Sequence, residues 1–368
     1  MSLKLKLIVC VLLEVQAVCA QDVRIGIFGL FRTHELTLRV SPGQALVVRA
    51  GKEAFVLERS NGPDTAKVTV SGDDLILQVG DRSVRASAIR AASRSDGVTD
   101  FVLAIPGKIS RQYHGVLDVK GAAGILVSVV TMDLETAVAS AVQAESAPDT
   151  TLEALKAQAV ATRSYFAAAR GRHHDFDFCD TTHCQFLREP PAPDSNASRA
   201  ALATRGMVLA YRDQAVAAMF SRSCGGHTRT PQEVGLLNQG YPYFPVACEY
   251  CLRHPSGWSR RVSQSEAGDL LKLGERSRLD IDRRLGWDAV PSNNFTAHSD
   301  EHGVVLEGAG QGHGIGLCQR GAKAMAQAGA GFHEILDHYY PNTTLIRVGQ
   351  TQGRLVRTGD PPAMPGRQ

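Results

Sequence analysis

Residues 125–145 read ILVSVVTMDLETAVASAVQAE, and the hydrophobic period changes partway through them. Ile125–Val130 is an apolar run rich in β-branched residues, interrupted only by Ser128, with the length and composition of a buried strand. From Leu134 onward the apolar residues recur every four, at Leu134, Val138 and Val142, which predicts a helix over 133–145. Ser146-Ala147-Pro148-Asp149 breaks it. Asp149 or Thr150 then caps a second helix, over about 151–170, with Leu152, Leu155, Ala159 and Phe166 toward the core. Upstream, short apolar runs recur at Val23–Phe28, Ala45–Val48, Val68–Val70, Leu75–Val79, Phe101–Ile105 and Val116–Val119. Turn residues such as Asn61-Gly62-Pro63-Asp64 separate them. Downstream, Pro190, Pro191 and Pro193 mark a loop and Ser198–Thr204 a short helix. Met207–Tyr211 and Gln214–Phe220 read as a hairpin about Arg212-Asp213, and Gly321–Ala328 and Phe332–Tyr340 as helices. The expected class is α+β: a mixed core of helices on sheet, preceded by a β-rich N-terminal portion.

The composition excludes several functions. With 43% hydrophobic and 21% charged residues, the 368-residue chain buries a real core and is not disordered. A net charge of +3 and 6% aromatic residues offer neither the basic field nor the stacking surface of a nucleic-acid binder. Lys4 and Lys6, the apolar run Leu7–Leu13 and the small residues Ala17–Ala20 read as a secretory signal over residues 1–20. No later apolar run is long enough to span a membrane, so the expected location is exported, periplasmic or cell-wall associated. Six cysteines follow the signal, at 179, 184, 224, 248, 251 and 318. Disulfides are the default in an exported chain. Yet Cys179, His183 and Cys184, with His173 and His174 just upstream, suit zinc as well as a disulfide. Cys248-Glu-Tyr-Cys251 is equally compatible with a tight disulfide or half a metal site.

Three stretches could carry chemistry. Glu145 stands at a helix end, where partial burial would raise its pKa enough to donate a proton. Its neighbours Gln158 and Arg163 interrupt an Ala-rich helix and, by composition alone, read as a snorkelling or salt-bridged surface pair. Ser223-Cys-Gly225-Gly226-His-Thr228 follows an apolar strand, and its glycines permit close backbone approach to a ligand. Gly308-Ala-Gly310-Gln-Gly312-His313-Gly314-Ile-Gly316 is a tight backbone that carries His313 and Gln319 to a helix. It lacks the βαβ setting and the downstream acidic residue of a dinucleotide site. His313 gains a catalytic meaning only where the fold brings it to Glu145.

Taken in order, these motifs resemble the SpoIID/LytB family of stage II sporulation protein D and the amidase enhancers. The resemblance runs through Tyr113-His-Gly115, Thr131–Glu135, Ala141–Glu145, Glu153–Tyr165, Asp177–Gln185, Thr204–Tyr211, Ser221–Thr228, Trp258, Leu285–Trp287, Gly310–Ala322, Glu334-Ile-Leu and Tyr339-Tyr340-Pro341. The implied organisation is a signal peptide at 1–20, a β-rich region at 21–110, a SpoIID/LytB-type core at 111–348 and a loose tail at 349–368. The family implies a bacterial cell-wall role, with peptidoglycan glycan strands as ligand. The implied activity is a lytic transglycosylase that cuts strands lacking stem peptides to 1,6-anhydro-N-acetylmuramic acid ends, with Glu145 as general acid and base. Gln158, Arg163, Gln185, Ser223, Gly225, Gly226, Thr228, His313 and Gln319 would bind substrate. Structural zinc becomes more plausible at Cys179, His183 and Cys184, with His173 or His174 as fourth ligand, beside the surviving disulfide alternative. Two other functions stay open: a non-catalytic glycan-binding activator of an N-acetylmuramoyl-L-alanine amidase, and a metal-dependent hydrolase with an open zinc position. One departure from the family pattern is that Glu145-Ser-Ala-Pro148 replaces the usual Met and Pro after the glutamate, so the loop shape is its own.

Overall fold

The computed structural model describes residues 22–237, 240–267 and 278–347. The expected signal segment and the tail from residue 349 lie outside the described residues. Eleven strands come first: β1 (Asp22–Ile27), β2 (Glu35–Val40), β3 (Leu46–Ala50), β4 (Glu53–Leu57), β5 (Thr65–Ser71), β6 (Asp74–Val79), β7 (Arg82–Ala86), β8 (Ala88–Ala92), β9 (Thr99–Ile105), β10 (Ile109–Ala122) and β11 (Ile125–Asp133). Helices α1 (Leu134–Glu145) and α2 (Leu152–Ala168) follow, then the short β12 (Phe178–Cys179), α3 (Asn196–Ala203) and strands β13 (Met207–Tyr211), β14 (Gln214–Ala215) and β15 (Phe220–Ser221). The remainder comprises α4 (Glu249–Arg253), β16 (Gly257–Val262), α5 (Gln264–Ala267), α6 (Arg278–Leu285), β17 (Phe295–Asp300), β18 (Gly303–Ala309), β19 (Leu317–Cys318), α7 (Gln319–Gln327), α8 (Phe332–Tyr339) and β20 (Thr344–Arg347). The class is α+β, as expected.

Strand β10 organises the first half. Its residues 109–115 pair with β9, and its residues 116–122 pair with β11. Along 117–120 it also pairs with β8. The sheet therefore folds over on β10, and strict in–out alternation along β9 sends Thr99, Phe101, Leu103 and Ile105 into the enclosed space. Gly115 sits where β10 changes partners. A Cβ there would meet the Thr131 carbonyl oxygen at 2.5 Å, so only glycine lets β11 come this close. The N-terminal strand β1 lies between β11 and β12, with Gly26 opposite Cys179.

Asp133 caps α1 by accepting the N–H groups of Glu135 and Thr136. Helix α2 is buried on two sides. Leu155, Ala159 and Phe166 join the strand core, whereas Ala154, Ala157, Val160 and Ala161 pack into a second core with Leu317, Ile335, Leu336, Tyr339 and Tyr340. Its many alanines follow from that position between two layers, where larger side chains would hold the layers apart. The expected hairpin is present as β13 and β14, with Arg212 and Asp213 both at positive φ as a tight turn requires. Its second strand ends at Ala215 instead of running on to Phe220. A separate small sheet, in the order β16-β18-β17, covers a third apolar cluster around Val290, Phe295 and Val304.

Candidate functional site

Glu145 closes α1, and three remote segments hold it there. Its Oε1 accepts the Phe186 N–H at 3.2 Å. Gln319 Nε2, at the start of α7, donates to its backbone oxygen at 3.1 Å. The next residue, Ser146, donates its hydroxyl to Gln158 Oε1 of α2 at 2.9 Å. Burial pushes the Glu145 carboxyl up to about 7, against the opposing pull of the Phe186 N–H and the nearby charge of Arg222. A carboxyl raised into that range can donate or accept a proton near neutral pH. Gln158 Nε2 and Gln185 Oε1, both close in the chain to these contacts, are buried with no hydrogen-bond partner among the described residues.

The glycine-rich stretch lies against the segment after β15. Ser223 and Gln311 exchange backbone hydrogen bonds at 3.1 and 2.8 Å, and β15 runs parallel to β19. His313 accepts the Ile315 N–H on Nδ1 at 3.1 Å, which leaves the proton of the neutral ring on Nε2. Its carbonyl receives Asn293 Nδ2 at 3.1 Å.

Several residues expected to bind substrate have packing roles instead. Arg163 is 0% exposed, so it is neither a groove residue nor a snorkelling surface group. Its guanidinium grips Glu135 with two bonds of 2.9 and 2.6 Å and spends its remaining donors on the carbonyls of Ala159, Ala201 and Met207 and on Thr204 Oγ1. Thr228 is buried and accepts the Val246 N–H. Ser223 is buried with its hydroxyl beside Cys251 Sγ and Ser256 Oγ. Gly225 and Gly226 have φ of 74° and 128°, and the carbonyl of Gly226 receives the Cys248 N–H. A Cβ at Gly225 would meet the Ala309 carbonyl oxygen at 2.8 Å, and one at Gly226 the Leu252 side chain at 3.2 Å. Of the expected residues, Gln319 bonds the Glu145 backbone oxygen, Gln158 bonds the adjacent Ser146, and Gln185 precedes Phe186, whose N–H reaches the carboxyl.

A second cluster stands beside β12. Ligand atoms of His173, Cys179, His183 and Cys184 all lie within 4.8 Å of one another. His173 Nε2 is 3.3 Å from Cys184 Sγ, and His183 Nδ1 is 3.5 and 3.7 Å from the sulfurs of Cys184 and Cys179. Tetrahedral zinc with two sulfur and two nitrogen ligands spaces its donors about 3.3–3.8 Å apart, so these residues fit the metal. His174 does not belong to the set, because its side chain is 97% exposed and turns to Asp175. Four protein donors close the shell, which leaves no open position for a hydrolytic water.

Sequence reasoning missed four features. The first is Glu135, the partner of Arg163, and the second is the pair acting on the Glu145 carboxyl, the Phe186 N–H and the Arg222 charge. Arg111 and Asp180 form a buried ion pair at 3.0 Å under β12, with the Asp180 carboxyl raised by burial. The fourth is a group of four buried cysteines, Cys224, Cys248, Cys251 and Cys318. Only the Cys248-x-x-Cys251 pair was a local signal.

Residues 123–211 match the family described as Stage II sporulation protein, SpoIID. That span contains Glu145, α2 and the His/Cys cluster. An uncharacterized protein of Brachyspira hyodysenteriae (strain ATCC 49526 / WA1) is 30% identical over 268 residues, covering 64% of this chain and 72% of that protein. The amidase enhancer of Bacillus subtilis (strain 168) is 26% identical over 274 residues, covering 53% of this chain and 38% of the enhancer. The chain belongs to the SpoIID/LytB family. Among the described residues no helix is long and apolar enough to cross a membrane.

Proposed function

We propose that the protein acts on the bacterial cell wall as a lytic transglycosylase of peptidoglycan glycan strands, exported to the periplasm or the wall. The observation that carries this reading is the Glu145 carboxyl, anchored at a helix end with its pKa raised to about 7 by burial. Protonated Glu145 gives its proton to the glycosidic oxygen after N-acetylmuramic acid as the C1–O bond breaks. The resulting carboxylate takes the proton of the same sugar's C6 hydroxyl, whose oxygen closes on C1. The product is a 1,6-anhydro end, no water is consumed, and Glu145 regains its proton. One carboxyl therefore suffices, and the intramolecular nucleophile contributes its own high effective concentration. Gln158 and Gln185 lie on the segments that hold Glu145, and their buried Nε2 and Oε1 atoms have no hydrogen-bond partner among the described residues. Zinc at His173, Cys179, His183 and Cys184 has a structural role in this reading, tying β12 to the loop that leads to Phe186.

The second reading is a glycan-binding activator of a cell-wall amidase, which the name of the Bacillus relative favours. One experiment separates the two. Purified protein is incubated with glycan strands stripped of stem peptides, and mass spectrometry seeks 1,6-anhydro ends, with Glu145→Gln as control. Anhydro ends that fall by about 100-fold or more in the variant are the expected result, the scale of a lost general acid–base group. Strands bound but left intact by the wild type would overturn the catalytic reading in favour of the activator.

A further inference from the structure

Four cysteines far apart in sequence meet at one point: Cys224 after β15, Cys248 and Cys251 on either side of the start of α4, and Cys318 at the cap of α7. All four are buried, and their sulfurs lie within 4.8 Å of one another. We propose that Cys224, Cys248, Cys251 and Cys318 bind a structural zinc ion as a closed tetrathiolate site, separate from the His/Cys cluster. Two disulfides would satisfy the same residue count, and three observations favour the metal.

The first is spacing. Zinc–sulfur bonds of about 2.3 Å in a tetrahedron put sulfurs about 3.8 Å apart, whereas a disulfide holds them at about 2.0 Å. Cys251 and Cys318 stand 3.6 Å apart, and neither they nor the other two are bridged. The second is the set of donors aimed at sulfur. Cys318 Sγ receives the N–H groups of Cys224 at 3.4 Å and Gly321 at 3.5 Å. Tyr339 donates its hydroxyl to Cys248 Sγ at 3.5 Å, and Ser223 Oγ lies 3.5 Å from Cys251 Sγ. A tetrathiolate zinc carries a net double negative charge inside an apolar core, and such donors are what makes that charge tolerable. A disulfide is a weak acceptor and has no use for them. The third is space: a Cβ at Gly321 would lie 2.5 Å from Cys248 Sγ, so α7 carries glycine where the sulfur presses on it.

The location gives the ion its purpose. Cys318 precedes Gln319, which holds the Glu145 backbone oxygen, and Cys224 follows Arg222 and Ser223. The ion would lock the segment after β15, α4 and α7 together behind Glu145. Binding exchanges the thiol protons for the metal, so loading is pH-dependent.

The test reads metal directly on the full-length protein. Zinc content by plasma mass spectrometry is expected at about two ions per chain, with an averaged X-ray absorption shell of about three sulfurs and one nitrogen per zinc. Cys251→Ser is expected to remove one ion and leave a two-sulfur, two-nitrogen shell. His183→Ala is expected to remove the other and leave a four-sulfur shell. The wild-type shell decides the matter even where a variant fails to fold. A single zinc with two sulfur and two nitrogen ligands in the wild type would overturn the proposal. So would disulfides among the four cysteines in non-reducing peptide maps, or iron in place of zinc.

Discussion

The Glu145 carboxyl is expensive to ionise where it stands, and that cost belongs to folding as well as to chemistry. Its pKa is raised from the ordinary 4.5 to about 7, so the folded state holds the proton more tightly than the unfolded chain does. Stability from this group is therefore fully present below about pH 4.5 and is lost as pH rises through 7. Allowing for the partial exposure of the carboxyl, the loss is on the order of 2 kcal/mol. Glu145→Gln keeps the acceptor for the Phe186 N–H and removes the titration. Its melting temperature is expected to exceed the wild type's by a few degrees at pH 8 and to match it at pH 4, in parallel thermal scans. The proposed transglycosylase activity, in contrast, would need the protonated form and is expected to decline above about pH 7 in the wild type. A pH-independent difference between the two melting curves would mean that the carboxyl is solvated. Arg163 makes the opposite bargain. Its charge is buried but paired with Glu135, and Arg163→Ala would strand that carboxylate, at a cost of about 3–5 kcal/mol readable by denaturant titration. Composition suggested a surface pair here because one sequence shows a residue's neighbours in the chain but not the second layer that covers it.

At the scale of elements, the sequence was most informative where a segment packs by one face. The period change at Met132 gave α1 and α2 within a residue or two of their observed bounds. Residues 257–262 were silent: Trp258-Ser-Arg-Arg261 alternates nothing apolar, because β16 pairs with β18 and leaves most of its side chains in water. The half of β10 over 109–115 was missed for another reason: its buried residues are Tyr113 and Gly115, and with the ion-paired Arg111 they do not read as an apolar run. Buried elements with small residues pose a different problem, and Gly321 in α7 illustrates it. Helix propensity alone argues that Gly321→Ala would stabilise α7 by about 1 kcal/mol. Packing argues the reverse, since the added Cβ collides with Cys248 Sγ and the Tyr339 hydroxyl, both buried and fixed by their own contacts. Overpacking of that kind costs about 1–3 kcal/mol, so packing should win and the variant unfold at lower denaturant concentration. An alanine variant that proves more stable would show that this helix has room to move away from the cysteine cluster.

For the whole molecule, the candidate site depends on strands that the family match at 123–211 does not include. Of the three segments that hold Glu145, the one around Gln319 comes from 174 residues away, and no local pattern encodes such a contact. The same holds for the β-rich front. Its first strand, β1, fills the position between β11 and β12, with Asp177 and Asp180 accepting the N–H groups of Arg24 and Phe28. The apolar core runs without a break from β1–β11 into α1, α2 and α3. Removing residues 22–110 would strip β11 of β1, strip β10 of both β8 and β9, and expose the apolar faces of the helices that rest on them. The remaining chain from residue 111 is therefore expected to lose cooperative thermal unfolding and to bind a hydrophobic dye such as ANS, as a loosely packed state does. It should also lose the zinc proposed for the His/Cys cluster, because Cys179 is held by pairing with Gly26. A truncated protein that melts in one sharp transition and keeps that ion would mean that the front strands are an accessory to the site and not part of its frame.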